Sequence, residues 1–431
     1  MCGMSLEQIF VKIKKAIRRS SFPFLEKPYH FLLSLWAALF YGFPSRRIYV
    51  IGVTGTKGKT TVVELLHEIL ASAGHKTASV SSLRFRVGDE EQKNELKMTM
   101  PGRMFLQKFL HGAAKKKYAY AIVEITSEGI KQYRHRFINF RVVVMTNIFP
   151  EHIESHGSLE NYLRAKLDLF WRLSPHSSAV INRNDSHWQR FSASTGAEKV
   201  LYSKENIELP QKLIKVREPS INQKGSSFEL ENVSFVSQLP GEFNFYNILA
   251  AVSTVLALHV DMEKIAKGVE KVSQVAGRME YIKRGPFSVV VDYAHTPDSL
   301  RAVYQTVKKD NFGAELICVL GSAGGGRDTW KRPVMAEVAS QYCRKIVLTN
   351  EDPYDEDPEH ILDQMVSGIS HGSFVKILDR KTAINFALKE AGPGEVVIIT
   401  GKGAEPWIMG PGGERVPWDD RQVARDCLRN L

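Results

Sequence analysis

Residues 50–66 read VIGVTGTKGKTTVVELL, and the reading of this stretch decides the fold. An apolar, β-branched run leads into a Gly/Thr/Lys loop and then into a segment with helical spacing, the layout of a phosphate-binding loop. The glycines do not fit the commonest form, G-x-x-x-x-G-K-S/T, which requires a glycine five residues before Gly58, where Val53 stands. The loop here is shorter and runs Gly55-Thr56-Lys57-Gly58-Lys59-Thr60, with Thr61 following. Backbone N–H groups of such a loop, opening onto a helix N-terminus, form an anion cradle. Lys59 is expected to reach the β- and γ-phosphates of ATP, and the Thr60 hydroxyl to hold Mg²⁺.

Working outward, 431 residues allow two or three domains, and 43% hydrophobic with 24% charged residues is the composition of a globular chain. The net charge of +11 favours anionic ligands. With no RNP-like aromatic motif, zinc finger or Arg-rich tract, nucleic acid fits less well than nucleotides or phosphorylated metabolites. Cys2, Cys318, Cys343 and Cys427 show no paired spacing. That argues against a disulfide framework or zinc ribbon and for a reducing cytoplasm.

Lys12, Lys14, Lys15, Arg18 and Arg19 precede the apolar stretch YHFLLSLWAALFYGF at 29–43. It is short of the ~20 residues of a membrane span and lacks a cleavage site after it. Two readings stand: a helix packed on the first domain, or a basic amphipathic segment resting on a membrane surface.

From residue 47 to about 180 the runs RIYVIGV, YAYAIVEI, RVVVMTN and SAVIN alternate with helical segments such as 60–73 and 158–172, as in a parallel sheet covered on both faces. Residues 198–240 are more polar and suggest a small antiparallel region, and 244–260 a buried helix. A second series, FSVVVDY, ELICVLG, KIVLTN, VKIL and VVIIT, implies an open doubly wound sheet. No G-x-G-x-x-G follows its first strand, so dinucleotide binding is not indicated. The expected fold is α/β: a central P-loop ATPase domain (47–275) with a mostly parallel sheet, then a C-terminal Rossmann-like doubly wound domain (276–431), preceded by a short basic and apolar segment (1–46).

Phosphoryl transfer needs metal-binding carboxylates at nearby strand ends. Glu124 closes an apolar strand, and His152 follows the next one in a loop shared with Glu151, Glu154 and His156. Which of these holds the metal stays open at this point.

Ten motifs occur in order: GVTGTKGKTT, EITSEG, TNIFPEHIESHG, YLRAKLDLF, GEFNFYN, GRMEYI, VVDYAHTPDSL, GSAGGGRDTWKRPVMAEVA, NEDPYDEDP and GKGAE. Together, over residues 47–431, they resemble the Mur ligases, and within them the MurE type, which adds the third amino acid to a UDP-N-acetylmuramoyl-dipeptide. The resemblance implies an ATP- and Mg²⁺-dependent acid–amino-acid ligase working through an acyl phosphate, with small-molecule substrates and no nucleic acid, and a cytoplasmic monomer. It assigns Glu124 and His152 to the metal, and Lys166 to a carbamylated lysine that helps place a second Mg²⁺. Asn244 and Asn247 match adenine-holding residues. Arg278, Asp292, Tyr293, His295, Arg327 and Lys331 match ATP-facing positions. Thr99, Ser127, Arg134, Glu351, Asp352, Tyr354 and Glu405 fall on the side of the peptide and the incoming amino acid.

Three departures stand out. Only 46 residues, with no α/β pattern, precede the first strand, so the substrate is expected to be gripped by its muramoyl peptide, or to be lipid-linked. The family's D-N-P-R motif, whose arginine reads diaminopimelate, is Glu351-Asp352-Pro353-Tyr354. The acid-rich stretch Glu351, Asp352, Asp355, Glu356 and Asp357 would suit a cationic side chain such as lysine, or be a solvated loop. The G-K-G-H-E motif has Ala404 for its histidine and keeps Glu405, and the E-V-S-S-H-G motif reads Glu124 to Gly129 as EITSEG.

Among the alternatives, a folylpolyglutamate-type ligase shares fold and loop, but DYAHTPDSL and GGGRDTWKR resemble the MurE type more. A MurT-like subunit acting on a lipid-linked precursor carries a four-cysteine zinc ribbon that this chain lacks. A non-catalytic nucleotide-binding scaffold is argued against by Lys59, Glu124, His152 and Lys166 occurring together.

Overall fold

The strand ahead of the loop, β1 (Tyr49–Thr54), lies within a nine-stranded sheet, in a computed structural model that describes residues 26–88, 90–151, 153–205, 212–222 and 224–431. The other strands are β2 (Thr77–Val80), β3 (Arg84–Val87), β4 (Glu90–Lys93), β5 (Tyr120–Glu124), β6 (Phe140–Met145), β7 (Ser178–Asn182), β8 (Glu198–Tyr202) and β9 (Lys212–Ile214). Their order is β4-β3-β2-β5-β1-β6-β7-β8-β9. Only the β2–β3 and β3–β4 pairings are antiparallel, and β4, Glu-Glu-Gln-Lys, is a fully exposed edge whose charges discourage pairing with other chains.

The apolar runs are nearly continuous because both faces are covered. Ile51, Val53, Ile122, Val142 and Val144 pack with helices Lys59–Ser72, Glu242–Leu256 and Met262–Glu270. Val50, Ala121, Val123, Val143 and Met145 pack with helices Arg103–Lys115 and Leu159–Trp171. Gly268 lets two helices of the first layer touch, since a Cβ there would lie 2.5 Å from Ile69 Cα.

An antiparallel sheet of β10 (Arg217–Asn222), β11 (Gly225–Leu230) and β12 (Val233–Ser237) follows. The second large sheet joins β13 (Glu280–Lys283), β14 (Ser288–Asp292), β15 (Leu316–Leu320), β16 (Lys345–Leu348), β17 (Ser373–Lys376) and β18 (Val396–Thr400) in the order β13-β14-β18-β15-β16-β17. All but β13 are parallel, with helices on both faces. A hairpin, β19 (Trp407–Met409) and β20 (Arg415–Pro417), closes the strand inventory of the described residues. The fold is the expected P-loop sheet with a Rossmann-like doubly wound sheet.

Two local expectations are corrected. Within 198–240 only β10 to β12 are antiparallel; β8 and β9 extend the first sheet in parallel because Val200, Leu201 and Tyr202 continue the buried register of β7. Cys318 on β15 and Cys343 ahead of β16 form a disulfide, S–S 1.94 Å. Neighbouring parallel strands bring them together, which spacing along the chain does not show. The apolar stretch at 29–43 folds as helix Glu26–Phe40 against helix Arg103–Lys115. Among the described residues no helix is long and apolar enough to cross a membrane.

Candidate active site

The carboxyl ends of the two large sheets face a shared cavity of about 860 Å³, the position where open α/β sheets bind ligands. β1 delivers the loop to it. Gly58 has φ +82°, and a Cβ there would lie 2.1 Å from Asn247 Oδ1; Gly55 has φ +142°, and its Cβ would meet Thr146 Oγ1 at 1.9 Å. Both positions need glycine for conformation and for space. Thr56 N–H donates to Asn147 O and Lys57 N–H to Asn147 Oδ1, both 2.8 Å, tying the loop to the end of β6. The Thr56 hydroxyl lies 2.8 Å from that of Tyr162. Thr61 is buried behind the loop and touches the cavity.

Lys59 Nζ donates to the Thr56 carbonyl at 2.8 Å and the Gly55 carbonyl at 3.1 Å. Burial pulls its pKa below the usual lysine value, against the opposing charges of Glu124 and Glu151. Thr60 Oγ1 sits 2.7 Å from Ser82 Oγ and 3.2 Å from both Glu124 oxygens, while Ser82 N–H donates to Glu124 Oε2 at 2.8 Å. The parallel register Val53↔Glu124 sets the carboxylate beside the loop. Two hydroxyls and a buried carboxylate are hard oxygen donors that fit Mg²⁺. No group of three His, Cys, Asp or Glu converges among the described residues, and His152 lies outside them.

Lys166 does not line the cavity. It lies beneath the loop, 1% exposed, its Nζ donating to Gly55 O at 2.8 Å and lying 4.8 Å from the Tyr162 ring centroid. Burial first, then the Lys59 charge, hold its pKa well below the usual range. A neutral, desolvated amine is the form that carbamylation needs. Asn244 is likewise set back from the cavity. Its Nδ2 donates to Pro240 O at 2.8 Å and its Oδ1 accepts from Asn247 Nδ2 at 3.1 Å, so Asn247 faces the cavity and Asn244 orients it.

The second sheet supplies the opposite wall. Arg278 stacks over the Tyr293 ring, 4.1 Å to the centroid, and its Nη2 is 3.5 Å from Thr60 Oγ1. Asp292 accepts from Met279 N–H and Ala294 N–H, both 2.7 Å. Burial raises its pKa, with Arg278 and these bonds opposing. His295 Nε2 lies 3.3 Å from Glu151 Oε1, which also accepts from Lys57 Nζ at 2.9 Å. Burial, then the Lys57 charge, lowers His295 to about 4. Lys331 Nζ donates to His295 O at 3.1 Å.

Thr99, Ser127, Arg134, Glu351, Asp352, Tyr354 and Glu405 all line the same cavity. The acid-rich stretch is neither a free cation receptor nor a solvated loop. Asp352 is paired with Lys97 and Lys402, Glu356 with Arg332, Asp357 caps helix Pro358–Val366, and Asp355 accepts from Gly412 N–H. Glu351 is buried with Oε2 lacking a hydrogen-bond partner, and burial raises its pKa. Tyr293 OH donates to Glu405 Oε1 at 2.9 Å. Burial would raise Glu405, but the Lys402 and Lys97 charges outweigh it and hold it at about 2. Tyr354 has φ +53°, its ring against Gly325, and hydrogen-bonds Arg327.

Sequence reasoning assigned no role to Ser82, Lys57, Lys97 or Lys402. Ser82 follows β2, a strand end beside the loop, and Lys402 sits in GKGAE, so both carried a positional signal. Lys97 carried none, because its partner is 255 residues away.

Two family models match: the Mur ligase middle domain over residues 53–255, and the Mur ligase, glutamate ligase domain over 277–403. A UDP-N-acetylmuramoyl-L-alanyl-D-glutamate–2,6-diaminopimelate ligase of Bacillus cereus is 35% identical over 407 residues, 92% of this chain and 81% of that protein. A solved structure of such a ligase is 31% identical with TM-score 0.60, covering 89% of this chain and 78% of that one. The ADP complex of Mycobacterium tuberculosis folylpolyglutamate synthase, 19% identical, shares the fold with TM-score 0.69, covering 85% of this chain and 90% of that one. The chain belongs to the Mur ligase family.

Proposed function

We propose that this ATP-dependent ligase adds an amino acid to the free carboxylate of a UDP-N-acetylmuramoyl-peptide, supplying the third residue of the peptidoglycan stem. The observation that supports it most is the convergence of Lys59, Thr60 and Glu124 on one cavity with Arg134, Tyr354 and Glu405. Residues 47–275 serve as the ATP-binding domain and 276–431 as the domain that closes over it.

In the proposed reaction the γ-phosphoryl group passes to the substrate carboxylate, and the amine then displaces phosphate from the acyl phosphate. Lys59 and the loop N–H groups stabilise charge on the transferring phosphoryl group. Thr60, Glu124 and Ser82 would hold Mg²⁺, with His152 and a carbamylated Lys166 as further ligands, and the ion would supply charge neutralisation for phosphoryl transfer. Asn247, oriented by Asn244, meets the adenine; Arg278, Asp292, Tyr293, His295, Arg327 and Lys331 complete the nucleotide side. Thr99 and Ser127 lie on the peptide side. The acyl phosphate is hydrolysable, so the closed cleft protects it by excluding water.

The incoming amine is read at Tyr354 and Glu351. The diaminopimelate named for the relatives is the first amine to test, and lysine the second. Small-molecule substrates, a cytoplasmic monomer and peripheral membrane contact through residues 1–43 belong to the same reading. Mass spectrometry of reactions with UDP-N-acetylmuramoyl-L-alanyl-D-glutamate, ATP and each amine tests it. A product heavier than the acceptor by one amino acid less water is expected, and its absence with every amine contradicts the assignment.

A further inference from the structure

Helix Glu26–Phe40 is built the wrong way round for a globular core. Its buried positions His30, Ser34, Ala37 and Ala38 recur at i, i+4, i+7 and i+8 and are mostly small. Ser34 Oγ donates to Tyr133 O at 2.7 Å, fixing this face to the first domain. The large apolar residues stand outside: Leu32 is 62% exposed, Trp36 45%, Leu39 58% and Phe40 65%, at the same helical spacing. Helices ordinarily bury the large stripe, and a contiguous exposed one marks an interaction surface, where scattered single residues would not.

Charge selects the occupant. From Gln8 to Leu25 the sequence holds Lys12, Lys14, Lys15, Arg18 and Arg19 and no acid, and exposed Arg46 and Arg47 follow the helix. A second copy of the chain would cover the apolar stripe but bring together two chains of net charge +11, whereas anionic phospholipid satisfies both features. At 15 residues the helix is too short to span and suited to lie in the membrane plane.

We propose that the Leu32–Trp36–Leu39–Phe40 face seats in the headgroup and upper acyl region of a bilayer containing anionic phospholipid, with exposed Arg46 and Arg47 on the headgroups. The inference rests on the peripheral-contact reading above and is independent of the ligase chemistry. The test floats the purified full chain with vesicles of phosphatidylcholine, with and without phosphatidylglycerol. Wild type is expected to float with the anionic vesicles and to be released by high salt. The triple variant L32S/L39S/F40S is expected to lose roughly a hundredfold or more in partitioning, with thermal midpoint and turnover on soluble substrate unchanged.

Three results would overturn the proposal. Wild type could fail to float, the variant could float equally well, or the variant could abolish a concentration-dependent dimer with no flotation in either protein. Turnover measured on the same samples keeps this outcome separate from that of the ligase assignment.

Discussion

Lys59 and Lys166 place two side-chain amines around one loop, both donating to the Gly55 carbonyl. Only one is exposed to the cleft. Lys59 is the donor aimed at phosphate, so Lys59→Ala should lower the rate of phosphate release by two or more orders of magnitude, roughly the cost of one transition-state donor, with the fold intact by circular dichroism. Glu405 gives a pH-dependent prediction. Its folded-state pKa drops from 4.5 to about 2, so its pairing with Lys402 and Lys97 stabilises the fold fully above pH 4.5 and is lost as pH falls toward 2. Urea midpoints at pH 7 and pH 3 should therefore differ more for the wild type than for Glu405→Gln. An identical difference in the two proteins would mean that those ion pairs contribute nothing to acid sensitivity.

The loop and the helix pairs behind it make predictions at the scale of elements. Gly58→Ala forces a side chain into φ +82° and into Asn247 Oδ1. Affinity for a non-hydrolysable ATP analogue should fall about ten- to a hundredfold by calorimetry, from ~1–3 kcal/mol of strain. Gly268→Val pushes helix Met262–Glu270 away from Ile69 and should cost about 1–3 kcal/mol of stability, read from urea unfolding, while turnover at low temperature stays near wild type.

Elements of this kind were largely legible in the sequence. β1, β5, β6, β14 to β16 and β18 announce themselves as β-branched runs, because strands buried on both faces have no polar alternation to confuse them. Glu124 was legible for the same reason, as a charge closing such a run. The antiparallel edge β3–β4 was not, since its composition is that of an exposed loop. Nor was the orientation of helix Glu26–Phe40. An apolar stretch shows helical spacing, but which stripe faces inward depends on whether small residues fit the neighbouring helix.

Across the whole molecule, the part of the site that sequence could not show is the part made by the meeting of the two sheets. Lys97 pairs with Asp352, Glu151 with His295, Thr329 N–H donates to Glu154 Oε1 at 3.0 Å, and Trp407 Nε1 to Glu95 O at 3.3 Å. Each joins residues far apart in the chain, so no local pattern encodes them. The first of these pairs, with Lys402, commits Asp352 to the structure, while Glu351 keeps an oxygen without a hydrogen-bond partner at the cavity. These contacts also tie the two sheets together across the cleft.

The most direct measurement is phosphate release from ATP with the acceptor and the amine supplied separately and together. The account predicts release at a measurable rate only when both UDP-N-acetylmuramoyl-L-alanyl-D-glutamate and an accepted amino acid are present, and none from the Lys59→Ala variant. Release that ignores both co-substrates, or is as fast in Lys59→Ala as in wild type, would contradict it.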